Sequence, residues 1–214
     1  MKTTGSLIPK TYEIEKFSDG TCDVIFATNV VETEVAMEES EEKVTQYTYD
    51  MYRLHMPYSD TLSDRIGDNY STWLDMAIST ELTLLATEKI KEVNAVCQNI
   101  IYAGVDVETA YGIEHFSLGV HDQQNLSTIK MMLANGLTQY PYHADGKSCV
   151  IYSAEDLNKL TETAMAHITY HTTYCNMLRT WIARETDCET VRNIVYGCDL
   201  PDDLKEYMAE LLQQ

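Results

Sequence analysis

Residues 153–184 read SAEDLNKLTETAMAHITYHTTYCNMLRTWIAR. Within them Leu157, Leu160, Ala164, His167, His171, Tyr174, Leu178 and Trp181 recur at steps of 3, 4, 3, 4, 3, 4 and 3. Only an α-helix brings residues so spaced onto one side, as the seam of a heptad pattern. A second stripe, Ile168, Thr172, Cys175 and Ile182, lies beside the first. The helix is therefore apolar over a wide arc, which predicts neighbours on two sides. Ser153-Ala-Glu-Asp156 resembles a capping box, with Asp at the position usually held by Glu. One long helix over about 154–184 follows, and it dominates the C-terminal part of the chain.

The same helix carries HITYHTTYC at 167–175. His167, His171 and Cys175 are zinc-type ligands at steps of four. A helix rises about 1.5 Å per residue, so the first and last stand about 12 Å apart along the axis. Zinc bonds of about 2.0–2.3 Å do not let one ion reach all three. A pair at i, i+4 can chelate, with His143 or Cys149 of the preceding segment as the nearest further ligands in sequence. The alternative is packing, with both histidines in the seam as polar residues that fix register or oligomer state. The seam then contacts either its own domain or a second subunit.

Working outward, YPYHADGKSCVIYS (140–153) reads as a hairpin around Asp145-Gly146. HDQQNLSTIKMMLANG (121–136) reads as a helix stopped by Gly136. TAYGIEHFSLG (109–119) reads as a strand or hairpin. After the long helix come two short ones, Cys188–Tyr196 before Gly197 and another beginning at Pro201, a favoured first-turn residue. Upstream, Leu62, Ile66, Tyr70, Trp73, Leu74 and Ala77 recur at helical spacing, and so do Leu82, Leu85, Ala86, Ile90, Val93 and Val96. Gly104 closes that stretch. These are a helical hairpin or one bent rod. Before Pro57 the period is two. TYEIEKF, TCDVIFA, NVVETEVAM and VTQYTYDMYRLHM alternate, with Asp19-Gly20 as a type I′ turn signal. An antiparallel meander over about 11–56 follows, with the acidic Glu38–Glu42 as an exposed loop. The fold class is α+β: a meander in 1–57, a helical connector in 58–104, and an α+β domain in 105–214.

Bulk composition limits the function. The chain has 214 residues, 34 acidic against 15 basic, for a net charge of −19. Such a surface repels phosphate backbones and anionic lipids, which argues against nucleic-acid and membrane partners. MKTTGSLIPK has no apolar h-region, so no secretory signal is expected. The six cysteines form no CxxC pair and are expected to be reduced. No P-loop, GxGxxG, GxSxG or HExxH is present. His143-Ala-Asp145 sits on a turn where Asp-Gly has a structural task. Cys175-Asn176 beside His171 puts three neighbours on one helix, not a thiol-protease triad. No catalytic residue and no cofactor is assigned.

Two passages carry a resemblance. They are YRLHMPYSDTLSDRIGDNYSTWLDMA, and the run from HFSLGVHDQQ through YPYHADGKSC and YHTTYCNMLRTWI, with YGCDLP after it. They resemble an uncharacterised family from tailed phages and prophages of Gram-positive gut bacteria. The second is also similar to a domain of unknown function found in phage tail-fibre and tail-associated proteins. The resemblance spans about residues 12–200. It implies a virion structural protein of the tail, at the baseplate or fibre attachment, made in the host cytoplasm. Its expected partners are other tail and virion proteins, in a homo-oligomer or a larger assembly. A tail-fibre assembly chaperone and an acidic host-takeover inhibitor are the alternatives. The resemblance implies no reaction, ligand or site residue.

Overall fold

The structure is a computed structural model that describes residues 2–36 and 43–213. The acidic run Glu38–Glu42 lies outside the described residues. The fold is α+β, with an antiparallel four-stranded sheet followed by helices. The chain forms two compact units that cut across the three sequence segments. One comprises residues 1–88 and 185–193, the other 89–184 and 194–214.

The first unit holds β1 (Lys2–Gly5), β2 (Tyr12–Lys16), β3 (Thr21–Ala36) and β4 (Lys43–Pro57), in the spatial order β1-β4-β3-β2. The meander β2-β3-β4 is the expected one, and β1 adds an edge strand that the sequence did not announce. Cys22, Val24 and Phe26 alternate onto one face and are fully buried. With Leu54 they pack on Leu62 and Ile66 of α1 (Leu62–Asp68) and Ala77 of α2 (Tyr70–Ala103). On the other face Asp23 is buried, and Arg53 Nη1 at 3.0 Å and His55 Nδ1 at 2.8 Å close on its carboxylate. The short helix α5 (Cys188–Asn193) also belongs to this unit, where Arg192 pairs with Glu81 and Lys2 Nζ lies 2.8 Å from Glu189.

Three local expectations change. Asp19-Gly20 is not a type I′ turn. Gly20 alone has positive φ, at 85°, and the connection is the four-residue loop Phe17–Gly20. The Asp19 carboxylate accepts from the Thr21 amide at 3.0 Å and from its hydroxyl at 2.6 Å, which favours that wider loop. TCDVIFA and NVVETEVAM are one strand, not two. A register shift between Thr28 and Val31 inserts one extra residue, and Asn29 sits there at φ 51° with its amide 2.8 Å from Asp50 Oδ2. The two helical runs are not separated between Ala77 and Leu82: the stretch breaks at Asn69, and the second helix runs unbroken for 34 residues.

The bulge divides β3. Before it the strand is core. After it, Val31–Ala36 pairs with Lys43–Thr48 as a ribbon. Cross-strand partners share a face. One face therefore holds Val31 with Thr48, Thr33 with Gln46, and Val35 with Val44, and none of these is charged. The opposite face holds Glu32 and Glu34, and Lys43 Nζ lies 2.9 Å from Glu34. Val31, Val35 and Val44 are exposed by 55%, 45% and 42%. Pairing with β2 stops at Phe26, and pairing with β1 covers only Tyr47–Asp50.

The second unit holds residues 89–103 of α2, two hairpins, and three helices. The hairpins are β5 (Val105–Thr109) with β6 (Gly112–Phe116), and β7 (Gln139–Tyr142) with β8 (Val150–Ser153). The helices are α3 (Val120–Ala134), α4 (Ala154–Arg184) and α6 (Asp202–Leu212). The capping box at α4 is half formed. Ser153 Oγ accepts from the Asp156 amide at 3.2 Å and donates to Asp156 Oδ2 at 2.7 Å. Asp156 is shorter than Glu by one methylene, and its other oxygen accepts from the Ala110 amide at 3.1 Å in the β5–β6 turn. The cap thus also fastens the first hairpin to the helix.

Gly104 turns α2 into β5 at φ 90°, and a Cβ there would lie 2.1 Å from the Phe116 carbonyl oxygen. Gly104→Ala is expected to lower unfolding stability by about 1–3 kcal/mol, the cost of a strained backbone position. Chemical denaturation checks this, and an unchanged midpoint would refute the close-approach argument.

Candidate functional site

The seam residues of α4 lie within the second unit. Leu157, Leu160, Ala164, Tyr174 and Leu178 are buried, while His167, His171 and Trp181 are half-buried. The histidines thus fall short of full burial, and His171 sits where the seam opens toward a cleft. Both are hydrogen-bonded. His167 Nε2 lies 3.1 Å from the Ile100 carbonyl, and His171 Nδ1 lies 3.0 Å from the Tyr196 hydroxyl. Their rings meet edge to face at 4.5 Å. Burial, then the charge of His167, hold the His171 pKa below its ordinary value, so its imidazole is neutral at pH 7.

Cys175 also meets α2, but at Val93 and Asn94 rather than at Ile100. Its thiol lies 3.4 Å from Asn94 Oδ1 and 3.8 Å from the Val93 carbonyl, and the Cys97 thiol donates to the His171 carbonyl at 3.3 Å. Burial pushes the Cys175 thiol up to about 11, with Cys97 adding to the shift. It is therefore a protonated donor, a poor nucleophile and a poor metal ligand. His167, His171 and Cys175 are not brought to one point. His143 stacks on Tyr142 and Cys149 is exposed. Among the described residues no group of three or more His, Cys, Asp or Glu is placed to hold a metal ion.

Beside the histidines lies a cleft of about 490 Å³. Tyr170, His171 and Tyr174 of α4 form one wall, the loop Tyr196–Leu200 a second, and Lys205 and Met208 of α6 a third. The Tyr174 hydroxyl pins the loop: it donates to the Cys198 carbonyl at 2.6 Å and accepts from the Gly197 amide at 3.0 Å. Burial, with Cys198 contributing, pushes the Tyr174 phenol up to about 12, and burial with Cys97 raises Tyr196 as well. Both phenols are neutral donors. Tyr170 and Tyr174 rings are nearly parallel, with 8° between planes, and Tyr196 stands at 85° to Tyr174. The seam pattern predicts His171 and Tyr174 on one face. Tyr196, Asp199, Lys205 and Met208 were not foreseen, because nothing in their spacing ties them to a helix more than twenty residues upstream.

Two other polar clusters have structural tasks. Buried Glu114 accepts from Thr109 Oγ1 at 2.7 Å, Tyr152 OH at 2.9 Å and Lys147 Nζ at 2.9 Å. Burial alone would raise its pKa, but these three hydrogen bonds outweigh that and hold it low. This network ties the two hairpins together. His115 offers Nδ1 to Asp106 at 2.7 Å and Nε2 to the Ala103 carbonyl at 2.7 Å, so both nitrogens favour a proton. The Asp106 hydrogen bond is the chief cause of its raised pKa. The Ser117 hydroxyl donates to Asp145, not to His115, so no Ser-His-Asp relay forms.

The family described as "Domain of unknown function (DUF4376)" matches residues 85–196, just over half the chain. No curated protein and no solved structure matches. The matched stretch supplies Ile100, Tyr170, His171, Tyr174 and Tyr196 to the cleft, and the residues after it supply Asp199, Lys205 and Met208.

The two histidine environments predict opposite titrations. In an NMR pH series His115 is expected to titrate above the ordinary histidine range of about 6.5 and His171 below it. His115 stabilises the fold below its unfolded pKa, and that contribution is lost as pH rises through its folded pKa. For His171 the stability is present above the unfolded value and lost as pH falls toward its folded one. Glu114 behaves as a depressed carboxylate, its contribution present above about 4.3 and lost as pH falls through its lower folded value. Glu114→Ala, which strands the Tyr152 hydroxyl, is expected to cost about 1–3 kcal/mol in denaturant unfolding at neutral pH.

Proposed function

The chain belongs to the DUF4376 family, and from that starting point we propose that it is a non-enzymatic structural protein of a phage virion, seated at the tail baseplate or where a fibre attaches. The setting comes from the resemblance of its YPYHADG and YHTTYCN segments to tail-associated proteins. The observation that carries the reading is the β3–β4 ribbon. An isolated two-stranded ribbon is marginally stable in water, and exposed apolar faces of this kind are commonly covered by a partner. Val31, Val35 and Val44 stand exposed on a face with no charged residue, in a chain of net charge −19. A contact there desolvates no charge and meets little like-charge repulsion. The polar clusters around Glu114 and His115 are satisfied within the fold, which suits a structural role for them.

Mass spectrometry of purified particles is the direct test. The protein is expected in mature virions at a fixed ratio to the tail proteins. Its presence in infected cells but absence from particles would instead identify an assembly chaperone. The ribbon has its own test. Val35→Lys with Val44→Glu, which sets opposite charges across the strand pair, is expected to change stability by no more than about 0.5 kcal/mol per site, as for exposed positions, and to abolish incorporation into particles. Full incorporation of this double variant would exclude the ribbon as the docking element.

A further inference from the structure

The cleft beside α4 is not used by the reading above, and its chemistry points to a ligand of its own. Three aromatic rings face two directions: Tyr170 and Tyr174 share one orientation and Tyr196 stands across them. Aromatic faces carry negative potential and attract cations, most of all alkylated ammonium groups that are weakly hydrated. Tyr170 is half exposed, so its ring is open to a guest. The neutral imidazole of His171 does not repel a cation, and the net charge of −19 draws one in.

The second observation is a pair of charges left apart. Asp199 and Lys205 both line the cleft and both are exposed. Among the described residues neither forms an ion pair, with the other or with any other side chain. A bare cation would gain from Asp199 and lose at Lys205. A bare anion would gain at Lys205 and lose at Asp199 and in the overall field. A ligand with both charges satisfies both ends. We propose that this cleft binds a small zwitterion, its alkylammonium group against Tyr170, Tyr196 and Asp199 and its anionic group at Lys205. A phosphocholine headgroup and a betaine-type amino acid share this chemistry. The site does not depend on the virion reading, since its test measures binding by the purified chain.

Isothermal titration calorimetry of the full chain tests it with four probes: phosphocholine, glycine betaine, choline and inorganic phosphate. At least one zwitterion is expected to bind saturably and at least about 10-fold tighter than either choline or phosphate, a difference of about 1.4 kcal/mol. The tighter zwitterion identifies the anion as phosphate ester or carboxylate. Tyr170→Ala, at an exposed position, is expected to keep the unfolding midpoint and weaken that zwitterion about 10-fold. Lys205→Ala is expected to bring the zwitterion's affinity down to that of choline, and Asp199→Asn to weaken both. No saturation by any probe up to about 10 mM, weaker than most specific small-molecule sites, would overturn the proposal. So would phosphate binding as tightly as the zwitterions, or a folded Tyr170→Ala variant with unchanged affinity.

Discussion

The contact of α2 with α4 is made by side chains that reach the partner helix's backbone. The Cys97 thiol takes the His171 carbonyl, the Cys175 thiol approaches the Val93 carbonyl, and His167 Nε2 takes the Ile100 carbonyl. The Ile100 carbonyl lies in the last turn of α2, where the Gly104 amide turns to Ile101 instead, while those of His171 and Val93 already accept a bond within their own helix. Each has a second lone pair, and a thiol or imidazole N–H can use it without breaking the first. The pairing runs antiparallel, since higher numbers on one helix meet lower numbers on the other. Cysteine is small enough to let the backbones approach and still offers a donor. The position of α4 therefore depends on the thiols remaining protonated, which burial ensures for Cys175. The histidine-bearing segment, read as a metal site, would have to give up these contacts.

Around α4 the hairpins are fixed by buried polar groups rather than by sheet extension. Each hairpin has only two strands, which alone are marginal. Asp156 joins the first hairpin to the start of α4, and Glu114 joins the two hairpins through Tyr152 and Lys147. A buried carboxylate is costly unless its lone pairs are filled, and here both carboxylates receive donors. Such networks fix geometry closely, because a shift that breaks one bond leaves a charge unsolvated. Phe116, Tyr142 and Tyr152 supply the aromatic packing behind them.

What remains on the surface is chemically uneven. In a chain this acidic, most exposed faces repel one another. The ribbon face of Val31, Val35 and Val44 and the tyrosine cleft are exceptions of different kinds. One is apolar and uncharged, suited to another protein surface. The other is concave and carries separated opposite charges, suited to a small polar guest. The ribbon belongs to the first compact unit and the cleft to the second.

Periodicity alone determined much of this protein. The step-of-two runs before Pro57 gave strands, the 3-4 seam from Leu157 to Trp181 gave α4 nearly to the residue, and Gly104 and Gly136 marked helix ends where positive φ is required, whereas the helix expected to run to Tyr196 ends at Asn193 and Gly197 serves a later turn. These are local signals, set by residues within one or two turns of each other. Tertiary structure decided what local signals do not contain. It merged two strand runs across a bulge at Asn29, because the long partner β4 continues past it. It divided the chain within α2, because the two ends of that helix pack on different neighbours. It redirected Asp156 from a capping box to the Ala110 amide. It also set Cys175 against Asn94 and brought Tyr196, Asp199 and Lys205 around His171, since side-chain direction across a helix contact depends on where the partner helix lies.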